Sequence, residues 1–269
     1  MPANIEKLGA GGLTVENKQT YDRMLLDRAT PELVHEMWGI KRSIGPTGSG
    51  NSGTSISWRR LERVAASTTA LTEGTPPTES RVTWTETAAT VQQYGQYTNL
   101  SDLVLTQAFD PQIAEYSEMY GETMGISRDQ VVRNVMVAGT TVQYADAAGS
   151  RGAVSSGERM DFAEIREAVA TLRNNDARPV VDGKYIGIIH PHTDMFGDSN
   201  ILTTLQNAGV RGSGNPIIDA SIGDFYGVRW VVTSQANVGT SLGASGSDVY
   251  YTMILGAGYY GVTDLEAQA

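Results

Sequence analysis

Cysteine is absent from all 269 residues of this sequence. The absence excludes disulfides, thiolate metal ligands and cysteine nucleophiles, and it fits a chain made in a reducing compartment. No apolar run approaches the length of a membrane span. Glu6 and Lys7 precede any apolar run, so nothing near the N terminus resembles a signal peptide. We therefore expect a soluble protein that is intracellular when made and has no membrane partner.

Positive charge is also scarce. The sequence has 20 lysines and arginines against 30 aspartates and glutamates, which gives a formal net charge of −10. This balance argues against a nucleic-acid-binding surface spread over the whole molecule. Glycine, in contrast, is abundant with 30 residues, which predicts a folded protein with many turns. The length allows one large domain or two small ones.

The longest helical pattern runs from Asp110 to Val137. Asp110 suits an N-cap, Pro111 suits the first helical position, and Gly139 lies where a C-terminal stop is expected. Apolar or aromatic side chains recur every three or four residues, at Ile113, Tyr116, Tyr120, Met124, Val131 and Val135. The ordinary interpretation of this pattern is a core helix of an α+β domain.

Upstream of this helix, the sequence predicts a helical region and then a long hairpin. The helical region extends from about Val15 to Trp38, with a break or kink at Pro31. Residues 54–64 and 81–94 alternate like two partner strands, and a wide polar loop separates them. A long hairpin of this kind does not bury itself, so we expect it to need a partner surface.

Downstream, helices and strands follow one another. Asp161 with Glu164 three residues later predicts a capping box and a helix. Residues 185–189 read as a buried strand, and a short helix is expected over 193–207. Residues 227–233 and 249–255 read as strands, the latter too apolar to be exposed.

Two stretches resemble ligand sites. GPTGSGNSG at residues 45–53 is close to a phosphate-binding loop, but Asn51 stands where the lysine is needed, so we predict a turn. His190 and His192 follow the strand at 185–189 with Asp194 nearby, which would suit the start of a metal site. No second cluster has ligand spacing, so the alternative is that Pro191 ends the strand and the imidazoles pack against the turn. We predict no metal, no cofactor and no catalytic residues.

Charge is distributed unevenly between the hairpin and the long helix. Residues 41–63 carry five basic residues and one acidic residue, whereas the helix carries mainly carboxylates. The two segments could pair within one subunit or between neighbouring subunits. The alternative is that both are solvated charged faces, which contribute little.

The order of these segments resembles the major capsid proteins of tailed phages, in the N4-like family, over roughly residues 20–266. The residues that carry the resemblance are YDRMLLDRA at 21–29, LVH at 33–35, LTEG at 71–74, QYGQY at 93–97, LSD at 100–102, DFAEIREAV at 161–169, IIHP at 188–191, GVRW at 227–230, LG at 255–256, YGV at 260–262 and DLE at 264–266. The resemblance implies an α+β fold of the HK97 type. It implies an N-terminal arm (1–40), an extended β-hairpin loop (41–96), a peripheral domain with a spine helix (97–140), an axial domain (141–248) and C-terminal strands that complete the sheet (249–269).

The resemblance further implies a structural protein, not an enzyme. Its copies would form the hexamers and pentamers of an icosahedral shell around double-stranded DNA, assembled in the host bacterial cytoplasm. Portal, scaffolding and cement proteins would be partners, and DNA would be held without sequence-specific contacts. Our hypothesis is that the hairpin lies over the spine helix of a neighbouring copy. The residues expected at this interface are Trp58, Arg59, Arg60, Arg63 and Trp84 on the hairpin and Glu115, Glu118 and Glu122 on the helix.

Some shells of this fold link a lysine of the extended loop to an asparagine of a neighbour. This sequence has no lysine between residues 42 and 183, so we predict a non-covalent shell. Two alternatives stay open at this point. One is an encapsulin-like nanocompartment that shares the fold, and the other is a metal-dependent hydrolase that uses His190 and His192.

Overall fold

The computed structural model describes residues 33–44, 55–74, 76–77, 79–99, 112–193 and 224–265. Within these ranges the helices are α1 (Gln112–Val137) and α2 (Phe162–Asn174), with short 3-10 turns at Ala145–Ala147, Arg151–Ala153 and Ala244–Gly246. The strands are β1 (Ile40–Ile44), β2 (Ser55–Leu61), β3 (Trp84–Thr90), β4 (Tyr185–Ile189), β5 (Asp224–Phe225), β6 (Val228–Val232), β7 (Val238–Gly239), β8 (Val249–Tyr250), β9 (Met253–Leu255) and β10 (Gly261–Leu265). The chain divides into two compact units. One comprises residues 1–39 and 96–260, and the other comprises residues 40–95 and 261–269.

The first unit is built around a four-stranded sheet in the order β5-β6-β4-β9. β4 runs parallel to β6 and antiparallel to β9, and all five of its residues are buried. Gly187 in β4 leaves room for the indole of Trp230, because a Cβ at this position would lie 2.5 Å from Cζ3 of that ring. The strand predicted at 185–189 is therefore confirmed as the centre of the core.

Alternate residues of β4 pack into two different core clusters. Tyr185 and Ile189 pack with Ile165 and Val169 of α2 on one side. Ile186 and Ile188 pack with Met136 of α1 and with Leu255, among others, on the other side. This is the period-two pattern of a strand covered on both faces, which explains why its sequence is a continuous apolar run.

The start of α2 is the predicted capping box. The Glu164 backbone N–H donates to Oδ1 of Asp161 (3.0 Å), and the Asp161 backbone N–H donates to Oε2 of Glu164 (2.8 Å). Two N–H groups of the first turn are thereby satisfied. Burial is the main cause that raises the pKa of Glu164.

The helix predicted to reach Trp38 is wrong in its last part, because residues 34–39 form bends and turns. The His35 backbone N–H donates to Oδ1 of Asp129 (2.6 Å), and the hydroxyl of Tyr260 donates to the His35 carbonyl oxygen. A helix would pair these backbone groups of His35 with other residues of the same segment. Here they are hydrogen-bonded instead to a residue of α1 and to a residue of the C-terminal part of the unit. Residues 15–32 lie outside the described ranges.

The buried side of α1 is not the predicted apolar stripe. Buried positions follow one another at intervals of four, four and seven residues, at Gly121, Gly125, Asp129 and Met136. Met124, Val131 and Val135 of the predicted stripe are exposed, Val135 by 69%. Asp129 fixes the buried side because both of its carboxylate oxygens bind His35.

The second unit contains two pairs of strands. β2 and β3 form an antiparallel pair with Leu61 opposite Trp84, and β1 runs parallel to β10 with Ile40 opposite Gly261. The hairpin strands predicted at 54–64 and 81–94 are confirmed with shorter bounds, while β1 was not predicted. The strand predicted at 249–255 is two short strands, β8 paired with β7 and β9 paired with β4. The predicted turn at 45–53 and most of the predicted helix at 193–207 fall outside the described residues.

Candidate subunit interface

The two sides of the β2–β3 hairpin carry different side chains. Because residues alternate between faces, the register places Arg59 and Leu61 on the same face as Glu86 and Trp84. The Glu62 backbone N–H donates to the Thr83 carbonyl (2.9 Å), which continues the pairing. The alternation then adds Arg63 and Val82 to this side. We call this side, with Arg59, Leu61, Arg63, Val82, Trp84 and Glu86, the tryptophan face.

The tryptophan face is open to solvent. Trp84 is 64% exposed and Leu61 is 51% exposed. Nε of Arg59 lies 3.6 Å from Oε2 of Glu86, and both side chains are more than half exposed. Arg59, Trp84 and Glu86 also line a shallow surface pocket. The exposed apolar pair of Leu61 and Trp84 thus lies beside Arg59. The exposed ion pair between Arg59 and Glu86 contributes little to stability.

The opposite face of the hairpin is used partly within its own unit. Ile56 is buried, and the indole of Trp58 packs on Gly261 of β10, where a Cβ would lie 2.7 Å from Cζ2 of the ring. Further along this face, the Thr85 hydroxyl donates to the carboxylate of Glu62. Arg60, opposite Thr85 in the register, also belongs to this face.

On α1, three carboxylates and a methionine share one side. Counted from Glu115, the other members are three, four and seven residues further on, at Glu118, Met119 and Glu122. This spacing places the four side chains together on one side of a helix. Glu115, Glu118 and Met119 are exposed, Met119 by 51%, and Glu122 is half-buried. We call these four residues the acidic stripe.

The eight residues expected at the interface are therefore brought together only in part. Arg59, Arg63 and Trp84 share one face of the hairpin, whereas Arg60 and Trp58 share the other. The three glutamates share one side of α1, as expected. Leu61 and Met119 were missed, although the period of two for strands and of three to four for helices already places them beside residues that were chosen. The intersubunit contact itself stays a prediction.

Two other polar residues of α1, Asp129 and Arg128, are paired within the subunit. Nδ1 of His35 lies 2.5 Å from Oδ2 of Asp129, and both side chains are fully buried. Arg128 pairs with Glu36, with its Nε 2.5 Å from Oε2. These contacts tie the segment before β1 to α1, so this side of the helix is occupied within the subunit.

The histidines of the proposed metal site stack against one another. The ring centroids of His190 and His192 are 5.5 Å apart, and Tyr250 lies 5.1 Å from His190. The His192 backbone N–H donates to Nδ1 of His190 (3.1 Å), which occupies one of the potential ligand atoms. Partial burial, and then the neighbouring His192, lower the pKa of His190. Across the described ranges, no three histidine, aspartate or glutamate side chains are grouped as a metal ion would require.

Comparison with known proteins identifies the family to which the chain belongs. The sequence model for a family described as phage capsid protein matches residues 84–268. The chain belongs to this family. The matched region begins at Trp84 and contains β3, α1 and the four-stranded sheet. No curated protein matches the chain.

Solved capsid structures share the fold at low sequence identity. The capsid of Ralstonia phage GP4 is similar with a TM-score of 0.57 and 12% identity, over 81% of this chain and 71% of that chain. The cyanophage Pam1 capsid gives 0.53 and 17% identity, over 88% and 75% of the two chains. The mature capsid of bacteriophage PhiM1 gives 0.50 and 17% identity, over 79% and 67%.

These matches confirm the predicted α+β capsid fold of the HK97 type and the predicted resemblance to tailed-phage major capsid proteins. This capsid protein is a structural protein of the virion shell, which its copies build by self-assembly. The family match and the structural matches give no support to an encapsulin-like nanocompartment or to a metal-dependent hydrolase. In the part of the chain that the structure describes, no helix has the length and apolar character needed to cross a bilayer.

Proposed function

We propose that copies of this chain form the hexamers and pentamers of an icosahedral shell around double-stranded DNA, and that the β2–β3 hairpin joins each copy to the next. The observation that carries this proposal is the exposure of the tryptophan face. Trp84, Leu61 and Val82 are each more than half exposed, so the subunit alone leaves a contiguous apolar surface in water. Covering such a surface with a neighbouring copy is favourable by roughly 25 cal/mol for each Å² of apolar area removed from water.

The division of the chain into parts with separate roles belongs to the same proposal. Residues 1–40 would be an arm, 41–96 the extended loop, 97–140 the peripheral domain with α1 as its spine, 141–248 the axial domain, and 249–269 the returning strands. The long α1 and the exposed hairpin support the assignment of the spine and the loop. Many modest contacts of the hairpin would be sufficient, because a closed shell repeats them in every copy.

The expected partners follow from the charge of the chain. A net charge of −10 supports a shell that holds its DNA without sequence-specific contacts, because like charge keeps the phosphates mobile. We further propose that a portal, a scaffolding protein and, where one is present, a cement protein act with the shell, and that assembly takes place in the host cytoplasm. The role is structural and non-catalytic, with no cofactor.

Microscopy of the purified full-length chain tests the proposal. We expect closed shells of uniform diameter in negative stain, since the exposed hairpin provides the contact that joins copies. A protein that stays monomeric at every concentration, with its hairpin protected from proteases, would refute the proposal.

A denaturing gel of the same particles tests the absence of covalent links. We expect a single band at the mass of one chain, 28.8 kDa, because the hairpin has no lysine to form a cross-link. A ladder of higher bands that survives boiling in detergent would contradict the non-covalent shell.

A further inference from the structure

We propose that the turn at residues 190–193 is an acid-sensitive joint, which packs against Tyr250 of β8 while His190 and His192 are neutral and opens when they are protonated. The turn follows the central strand β4, and both the turn and β8 belong to the first compact unit. The joint is a property of the folded subunit, so it does not depend on the proposed shell function.

The backbone of the turn is closed by a hydrogen bond between its first and last residues. The Thr193 backbone N–H donates to the His190 carbonyl oxygen (2.9 Å). Pro191 occupies the second position of the turn, where its fixed φ is favourable. His190 and His192 are therefore held two residues apart on a short bend.

The side chain of His190 closes the turn a second time. The His192 backbone N–H donates to Nδ1 of His190 (3.1 Å), as it would to an asparagine or aspartate side chain at the start of a turn. A ring nitrogen that accepts a hydrogen bond carries no proton, so the imidazole of His190 is neutral with its proton on Nε2. In the imidazolium both nitrogens are donors, and protonation of His190 therefore eliminates this bond.

Three rings pack together beside this bond. The ring planes of His190 and His192 are within 14° of parallel, and their centroids are 5.5 Å apart. The centroid of the Tyr250 ring lies 5.1 Å from that of His190 and 6.1 Å from that of His192. The contact between the turn and β8 thus depends on two imidazoles that lie close to one another.

Positive charge on this group has no nearby compensation. The titratable side chains that face His190 are His192, from the same turn, and Tyr250, from β8. Among the residues that the structure describes, no carboxylate pairs with either imidazole. Two imidazolium rings in contact would repel one another. The third histidine of the sequence, His35, differs because it faces the carboxylate of Asp129.

The pKa of His190 agrees with this geometry. Partial burial, and then the neighbouring His192, lower this pKa below its ordinary value of 6.5. A histidine whose pKa is lowered in the folded state contributes stability that is fully present above the ordinary pKa and is lost as the pH falls through the folded value. The joint is therefore closed at neutral pH and opens in mild acid.

Nuclear magnetic resonance of the full-length, unassembled subunit, labelled at histidine and tyrosine, tests the inference. At neutral pH we expect the His190 ring to carry its proton on Nε2. Between about pH 7.5 and about pH 5, the His192 amide and the Tyr250 ring signals should shift together with the His190 ring, with a midpoint below 6.5. A proton on Nδ1 of His190 at neutral pH, or Tyr250 signals that stay constant through the titration, would overturn the inference.

The variant His192→Gln isolates the repulsion between the two rings. Glutamine keeps the backbone N–H that donates to His190 but carries no charge at any pH. The midpoint of the His190 titration should therefore move upward, while the Tyr250 signals still follow it. An unchanged midpoint would contradict the role of His192 in the joint.

The variants His190→Asn and His190→Ala separate the titration from the turn itself. Asparagine accepts the same backbone N–H but does not titrate, whereas alanine cannot accept it. We expect His190→Asn to have a higher Tm at neutral pH than His190→Ala, and its Tm should fall less between about pH 7.5 and about pH 5 than that of the unchanged protein. A fall in Tm as large as that of the unchanged protein would overturn the inference, because another group would then be responsible.

Discussion

Strand β4 and the β2–β3 hairpin are the same kind of secondary structure in opposite environments. All five residues of β4 are buried, with helices packed on both faces of its sheet. In the hairpin, Ile56 is buried and most other strand residues are exposed. The packing of β4 is complete within one subunit, whereas the packing of the hairpin is incomplete. The difference indicates which part of the chain holds the subunit together and which part is available to a neighbour.

Pairs of polar side chains show the same contrast. His35 and Asp129 are fully buried and in direct contact, while Arg59 and Glu86 are 3.6 Å apart and exposed. Breaking a buried pair leaves one charge without compensation, whereas an exposed pair contributes little to stability. The buried pair therefore supports the fold, and the exposed pair remains free to rearrange on contact with another copy.

The largest expected effect comes from changing one tryptophan in each region. Trp230→Ala in the sheet core should lower the free energy of unfolding by about 3–5 kcal/mol, because it removes a nearly buried ring. Trp84→Ala should change the free energy of unfolding by less than about 0.5 kcal/mol, because the ring is exposed. The same variant should nevertheless prevent shell formation. Urea denaturation of the unassembled subunit and negative-stain microscopy measure the two quantities. A strong loss of subunit stability in Trp84→Ala would erase the contrast between the regions.

The second effect compares the buried pair of His35 and Asp129 with the exposed pair of Arg59 and Glu86. His35→Ala should destabilise the subunit by about 3 kcal/mol, because Asp129 keeps its buried carboxylate and loses a side-chain partner. Glu86→Gln should cost less than about 0.5 kcal/mol. Urea titrations of both variants at neutral pH provide the comparison. Equal losses in the two variants would show that burial does not separate these pairs.

The smallest effect concerns the edge of the core sheet and depends on pH. Hydrogen bonds from Lys184 and Arg229 lower the pKa of Asp224 below its ordinary value of 3.8. A carboxyl group with a lowered pKa in the folded state contributes stability that is fully present above the ordinary pKa and lost as the pH falls through the folded value. Asp224→Asn should therefore flatten the decline of the urea midpoint below about pH 4. Lys184→Met should act in the same direction, and a curve as steep as that of the unchanged protein would exclude this contribution.

Local sequence patterns predicted the elements of this fold well where the segment forms a regular helix or strand. The capping box at Asp161 and Glu164, the buried strand 185–189 and the hairpin strands follow from residue types and spacing alone. The segment at 33–38 could not be predicted, because its backbone bonds to Asp129 and Tyr260, which are distant in sequence. The short parallel pair of β1 and β10 likewise depends on a partner more than 200 residues away.

The orientation of α1 could not be read from its apolar residues. Its apolar stripe at Met124, Val131 and Val135 suggests a core-facing side, but the helix buries Gly121, Gly125 and Asp129 instead. A helix in a protein that assembles can present apolar side chains outward, so amphipathicity alone does not identify the core side. Strand alternation, on the other hand, already separates Arg59 from Arg60, and applying it would have sharpened the expected interface.

Hydrogen–deuterium exchange, compared between unassembled subunits and assembled shells, tests most directly whether a second copy completes the packing of the hairpin. We expect the amides of residues 55–61 and 84–90 to exchange more slowly in the shells, while those of 185–189 exchange at the same slow rate in both states. Equal exchange of the hairpin in the two states would contradict the account, because it would mean that no neighbouring copy covers this surface.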